Sequence, residues 1–208
     1  MKIATLLFIA FVSILSFGFS QSVTIGTQTW TTKNLDVSTF RNGDAIPEAK
    51  TSEEWKSAGE NKQPAWCYYN NDPKHGTKYG KLYNWYAVND ARGLALAGWH
   101  VPSDQEWSIL TTFLGGEDVA GKKMKRNSGW LKNGNGTNSS GFSGLPGSCR
   151  CPTGNSVNVD DFGDWWSASD RYGDESNANF FRLTSYNSFL NRIFTAKFDG
   201  LSVRCLKD

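Results

Sequence analysis

The four cysteines are the side chains of this 208-residue chain with the widest covalent chemistry. Cys67 and Cys205 stand alone, whereas Cys149 and Cys151 are separated by a single arginine. Two thiolates this close could bind a soft metal, but neither a histidine nor another cysteine lies near them in sequence. In an exported chain an even number of cysteines favours disulfides, and four cysteines allow three pairings.

The most acidic stretch runs from Asp160 to Asp164 and includes Asp161. Carboxylate oxygens gathered on one loop are ligands that Ca²⁺ prefers. The spacing of these residues fits no known calcium loop, so a solvated acidic turn is the favoured interpretation. The sequence therefore predicts no resident cofactor or metal, with Ca²⁺ at Asp160, Asp161 and Asp164 as the alternative.

Aromatic side chains beside polar loops form a third group, because an exposed ring can anchor a ligand such as a sugar. The residues of this kind are Trp130, Trp165, Trp166, Tyr172 and Tyr186. Most of the nine tryptophans are expected in the core. Trp165 and Trp166 are neighbours in a predicted strand, where adjacent side chains point to opposite faces. We therefore expect one of the two to be buried, which leaves the other free to be exposed.

Residues 98–116 are predicted to form the main helix that positions the middle of the chain. Ser103 and Glu106 have the spacing of a capping box, and an apolar stripe follows at helical intervals. Thr51 and Glu54 form a second possible capping box at the start of a shorter helix.

Alternating residues in 23–35 predict a β-hairpin at the start of the domain. Strand-like runs in the last third lie at residues 165–169, 179–183, 192–198 and 201–206. Turn-rich segments separate these runs at the spacing of an antiparallel sheet. The sequence therefore predicts an α+β domain with short helices and long loops.

Residues 1–20 have the pattern of a secretory signal peptide, with a positive start, an apolar run and small residues before the cleavage point. The apolar run is shorter than the roughly 20 residues of a membrane span. We predict cleavage after Ser20, one mature domain over residues 21–208 and no membrane span after cleavage. The domain would then be periplasmic, secreted or on the outer surface.

The charge is nearly balanced, with 22 basic and 20 acidic residues and a net charge of +2. No basic tract accompanies it, and this argues against nucleic acid as a partner.

Several motifs along the chain resemble the Fibrobacter succinogenes major paralogous domain family. They are Tyr-Gly-Lys-Leu-Tyr-Asn-Trp-Tyr-Ala-Val-Asn-Asp at 79–90, Gly-Trp-His-Val-Pro-Ser-Asp-Gln-Glu-Trp at 98–107, Lys-Asn-Leu at 33–35, Trp-Trp-Ser-Ala-Ser at 165–169 and Ser-Val-Arg-Cys-Leu-Lys-Asp at 202–208. They keep the family's order over nearly the whole of residues 21–208. The resemblance implies an exported bacterial domain with an irregular α+β fold similar to C-type lectins and formylglycine-generating enzymes. In that fold the N- and C-terminal strands meet.

The resemblance also bears on the cysteines, because family members commonly match at Cys67 and Cys205. It implies a disulfide between these two, with the C-terminal strand lying close to the strand that carries Cys67. Cys149 and Cys151 depart from the family's pattern, and they are left as a second pair or as two free thiols.

Two classes of function follow from the resemblance and the residues together. The first is an exported, non-catalytic binding or surface-interaction domain for a glycan or another envelope protein. The alternative is an exported enzyme related to formylglycine-generating oxidases, which hold copper with two cysteines. Cys149 and Cys151 are the only close pair, and neither His75 nor His100 stands in a signature of nucleophilic catalysis. We therefore predict a binding domain and not an enzyme.

Overall fold

The computed structural model describes residues 22–157 and 160–208, and its short helices and antiparallel strands confirm the α+β class. The predicted signal peptide, residues 1–20, lies outside the described residues. The helices are α1 (Ser52–Glu60), α2 (Gly76–Tyr79), α3 (Trp85–Val88), α4 (Asp104–Phe113) and α5 (Glu117–Met124). The strands are β1 (Ser22–Ile25), β2 (Gln28–Thr31), β3 (Trp66–Cys67), β4 (Leu82–Tyr83), β5 (Trp99–His100), β6 (Cys149–Arg150), β7 (Ser156–Val157), β8 (Phe162–Asp170), β9 (Asn177–Thr184), β10 (Leu190–Ala196) and β11 (Leu206–Lys207). Within the described ranges, every helix is too short or too polar to cross a membrane.

The two ends of the described chain meet in a four-stranded sheet with the order β1-β2-β11-β5. Leu206 of β11 lies between Trp30 and His100. The predicted N-terminal hairpin is therefore confirmed, and its second strand pairs with the C-terminal strand. The predicted strand over residues 201–206 is mostly wrong, because the residues before Leu206 make isolated bridges to β4 and β8 instead.

The two capping boxes that the sequence predicts are both present. The Ser103 hydroxyl accepts a hydrogen bond from the Glu106 N–H, and the Glu106 carboxylate accepts one from the Ser103 N–H at 2.7 Å. Thr51 and Glu54 make the same reciprocal pair at the start of α1. Each box satisfies N–H groups that a helix leaves open, which stabilises the helix by about 1 kcal/mol.

Core side chains cover both faces of the three-stranded antiparallel sheet β10-β9-β8. Trp165 and Phe181 pair across β8 and β9 on one face, and Trp166 and Phe180 pair on the other. Both tryptophans are 0% exposed. The sequence left one of them free to be exposed, but core side chains cover both faces of the sheet at that point, and both are buried.

All four cysteines are free thiols, so the predicted Cys67–Cys205 disulfide is wrong. Side chains alternate along a strand, and in β3 it is Trp66 that packs in the same cluster as Cys205. Cys67 points the other way, into a separate cluster beneath α1. The C-terminal strand also pairs with β2 and β5 and not with β3. Cys149 and Cys151 are the two free thiols that the sequence left open.

Candidate functional site

Asp164 is fully buried and forms an ion pair with Arg182 across the central sheet. Arg182 Nε and Nη2 donate to the two carboxylate oxygens at 2.7 and 2.8 Å. Burial raises the pKa of Asp164, although the guanidinium opposes that rise. The carboxylate therefore has a protein partner on each oxygen, and it is not open to a metal.

The other two acidic candidates point elsewhere. Asp161 accepts a hydrogen bond from the Ser185 hydroxyl at 2.6 Å, and Asp160 accepts one from the Tyr79 hydroxyl at 3.3 Å. Across residues 22–157 and 160–208, no three His, Cys, Asp or Glu side chains are grouped so that they could hold a metal ion. The structure thus does not bring Asp160, Asp161 and Asp164 together as a calcium site.

The five aromatic candidates divide into buried and exposed residues. Trp130 is buried like Trp165 and Trp166, and its Nε1 donates to the Gly144 carbonyl at 3.1 Å. These three rings belong to the core and cannot stack on a ligand at the surface.

Tyr172 and Tyr186 are exposed, by 104% and 67%. They lie at opposite ends of β9, in the connections from β8 and to β10. A strand of eight residues is about 26 Å long, so the two rings cannot stack on one sugar unit. Their role in binding stays a prediction.

Cys149 and Cys151 flank Arg150, and both are half-buried. Burial raises the pKa of Cys149 to about 12, and the negative charge of Asp164 adds to the rise. Burial also raises the pKa of Cys151. Because the thiolate is the nucleophile, these raised pKa values disfavour the reactive form of both thiols.

The side chain of His100 is 37% exposed. Its two ring nitrogens lie 2.8 Å from Glu106 and 2.7 Å from Asp208. Partial burial lowers the pKa of His100, but the hydrogen bonds to Asp208 and Glu106 outweigh this and raise it. The ring links β5 to the α4 N-terminus and the chain end.

A cleft of about 730 Å³ is lined by other residues than the candidates above. Its walls come from segments far apart in sequence: residues 32–36 after β2, residues 76–80 in and after α2, residues 126–127 after α5, residues 138–145 and Arg204. This volume lies within the range of about 300–1,000 Å³ that is typical of ligand pockets.

Arg204 forms the buried floor of the cleft and is 1% exposed. Its Nε donates to Asn34 Oδ1 at 2.7 Å, and its Nη1 donates to the carbonyls of Thr31 and Phe142 at 2.7 and 2.9 Å. Its Nη2 donates to the Ser143 carbonyl at 3.2 Å. All of these acceptors are neutral. Burial lowers the pKa of Arg204 to about 9, and among the described residues no carboxylate forms an ion pair with it.

Asn34 fixes the wall of the cleft to its floor. Besides Arg204, Asn34 Oδ1 accepts from Trp165 Nε1 at 2.9 Å. Asn34 Nδ2 donates to the Tyr79 carbonyl at 2.8 Å and to the Ser202 hydroxyl at 3.0 Å. The amide thereby makes four hydrogen bonds, which is its full capacity. The loop after β2 is held rigidly against the central sheet.

The rim of the cleft carries Lys33, Lys78 and Arg126, all exposed. Asp36 is the single acidic residue among the described residues of the lining, and it pairs with Lys81 Nζ at 2.5 Å. The lining therefore has a positive charge that its own carboxylate does not neutralise.

Sequence reasoning missed this cleft, although two signals pointed to it. The Lys-Asn-Leu motif at 33–35 and the motif at 202–208 both belong to the family pattern, and the structure places Asn34 against Arg204. Neither Asn34 nor Arg204 carries a local signature of a site, because the contact between them joins residues 170 positions apart.

The family model for the Fibrobacter succinogenes major domain matches residues 23–207. No curated protein and no solved structure matches the chain in the corresponding comparisons. The likeness of the fold to C-type lectins and formylglycine-generating enzymes stays a prediction.

Proposed function

The chain belongs to the Fibrobacter succinogenes major domain family, which specifies no activity, and we propose that it is an exported, non-catalytic domain that binds a glycan in the cleft above Arg204. The observation that carries the proposal is the composition of the cleft, which is rich in hydroxyl, amide and cationic groups.

The lining supplies hydrogen-bonding groups that are not used within the protein. The side chains of Thr77 and Asn127 are exposed and make no hydrogen bond to any other described residue. Hydroxyls and amides of this kind match the hydroxyl groups of a sugar, and fixed polar groups in a cleft are what give a ligand its orientation.

The absence of reactive groups in the lining supports a binding role over the enzyme alternative. Among the described residues that line the cleft there is no His, Cys or Glu, and Asp36 is held by Lys81. A nucleophile and a base within hydrogen-bond reach are the minimum for covalent catalysis. The enzyme alternative therefore depends on Cys149 and Cys151, whose raised pKa values disfavour the thiolate.

The proposal is tested by screening the purified chain on a glycan array and measuring its copper content. We expect a defined glycan ligand, stoichiometric copper to be absent, and the affinity to fall about tenfold or more in Asn127→Ala combined with Thr77→Ala. Tyr172→Ala is the matched control, because its ring is exposed and lies outside the cleft lining.

Two results would overturn the assignment. Loss of binding in Tyr172→Ala alone would move the site to the β8–β9 connection. If the chain binds an envelope protein and no glycan, the proposed ligand class is wrong.

A further inference from the structure

We propose that the ligand of the cleft is an acidic glycan, whose carboxylate or sulfate groups are bound by the cations that line it. This inference rests on the proposed function and names the class of glycan.

The lining of the cleft carries a net positive charge. Within the part of the lining that the structure describes, four residues are cationic, namely Lys33, Lys78, Arg126 and Arg204. The single acid there, Asp36, is paired with Lys81 outside the lining. A cleft lined by one sign of charge raises the local concentration of ligands of the opposite sign. This field would not raise the local concentration of a neutral glycan.

Two of the cations on the rim are not used in ion pairs within the described residues. Lys33 and Arg126 form no ion pair with any described residue, although ion pairs are common elsewhere on the surface. The backbone of Arg126 is nevertheless fixed, because its N–H donates to Gly144 and its carbonyl accepts from Gly136. A guanidinium held at its base and open at its end can bind a carboxylate or sulfate through two parallel N–H groups.

The floor of the cleft is a buried cation, Arg204. Arg204 has five N–H groups, and four of them donate to neutral oxygens. Its charge lies under the cleft with no carboxylate facing it, and burying a cation without a counter-ion is unfavourable. An anionic group in the cleft would supply the missing counter-charge, and this favours an acidic ligand over a neutral one at the same position.

The test compares three ligands by calorimetry on the full purified chain. They are an oligogalacturonate, the same oligosaccharide with its carboxylates methyl-esterified, and a polyglutamate of equal charge. We expect the free acid to bind at least tenfold more tightly than the ester. The affinity should also fall as salt rises from about 0.1 to 1 M, over which the Debye length shrinks from about 10 to 3 Å. A chondroitin sulfate oligosaccharide in a parallel titration distinguishes sulfate from carboxylate.

Arg126→Gln should weaken binding of the free acid about tenfold and leave binding of the ester unchanged. Lys56→Gln is the matched control, because Lys56 is an exposed cation on α1 outside the cleft. Both residues are at the surface, so each variant is expected to fold.

The outcomes separate the two proposals. If the free acid and the ester bind equally well, and both are lost when Asn127→Ala is combined with Thr77→Ala, this inference is wrong and the proposed function stands. If polyglutamate binds as tightly as the oligosaccharide does, the ligand need not be a glycan, and that part of both proposals is wrong. Binding of no glycan of either kind would overturn both.

Discussion

Arg150 and Arg204 are each 1% exposed, and each donates its hydrogen bonds to neutral oxygens. Each guanidinium also lies over an aromatic ring, at 5.0 Å from Trp55 and 4.6 Å from Phe142. The regions around them differ. Arg150 ties loops together, whereas Arg204 lies beneath an open cleft with further cations on its rim.

Arg150 makes its hydrogen bonds to neighbouring loops, and its buried Nε has no hydrogen-bond partner among the described residues. Its Nη1 donates to the Ala49 carbonyl at 3.2 Å and to the Asn71 side chain, and its Nη2 donates to the Thr51 carbonyl at 2.8 Å. Thr51 is the N-cap of α1, so this arginine anchors the start of that helix. A buried arginine without a carboxylate is thus no sign of a binding site by itself. The open cationic cleft is what distinguishes Arg204.

The largest effect is expected from removing the carboxylate partner of a third arginine, Arg182, whose side chain is 25% exposed. Asp164→Asn would remove the counter-ion of Arg182, and breaking a buried ion pair from one side lowers the free energy of unfolding by about 3–5 kcal/mol. Urea unfolding measures the change. Glu60→Gln is the control, because its pair with Lys56 is exposed and should contribute less than about 0.5 kcal/mol. An Asp164→Asn variant as stable as the control would mean that neutral surroundings satisfy this arginine.

The second prediction separates Arg150 from Arg204 directly. Replacing either with Met should lower the free energy of unfolding by about 2–4 kcal/mol, because several buried oxygens lose their donors. The rise in melting temperature on adding an acidic oligosaccharide should persist in Arg150→Met and disappear in Arg204→Met. The same loss in both variants would remove the distinction between the two regions.

The smallest effect concerns Asp199, the acidic residue next to the strand bridge between Gly200 and Arg150. Burial raises the pKa of its carboxyl to about 6, and one of its oxygens has no hydrogen-bond partner among the described residues. The unfolded carboxyl titrates near 3.8, so the folded state binds the proton more tightly. This carboxyl should therefore lower stability above about pH 6 and cease to do so as the pH falls toward 4.

Asp199→Asn should raise the free energy of unfolding by about 1–2 kcal/mol at pH 8. The gain should vanish near pH 4, where the folded carboxyl is already protonated. Thermal unfolding of both proteins across this range measures the difference. Destabilisation by Asp199→Asn at pH 8 would instead identify the carboxylate as a counter-ion of Arg182, the cation that lowers its pKa.

Local structure was determined by the sequence itself. Ser103 with Glu106 and Thr51 with Glu54 form their boxes because the interacting groups are three residues apart, so no distant segment is needed. The N-terminal hairpin was predictable for the same reason, since its strands are joined by a two-residue turn.

What lies across a sheet or between distant segments was decided only by the tertiary structure. Alternation along β8 fixed that Trp165 and Trp166 face opposite ways, but the packing against both faces buried them both. Alternation along β3 likewise turned Cys67 away from Cys205. The cleft brings residues 32–36 against Arg204. Asn34 and Arg204 are 170 residues apart in sequence, so no local sequence pattern could predict the hydrogen bond between them.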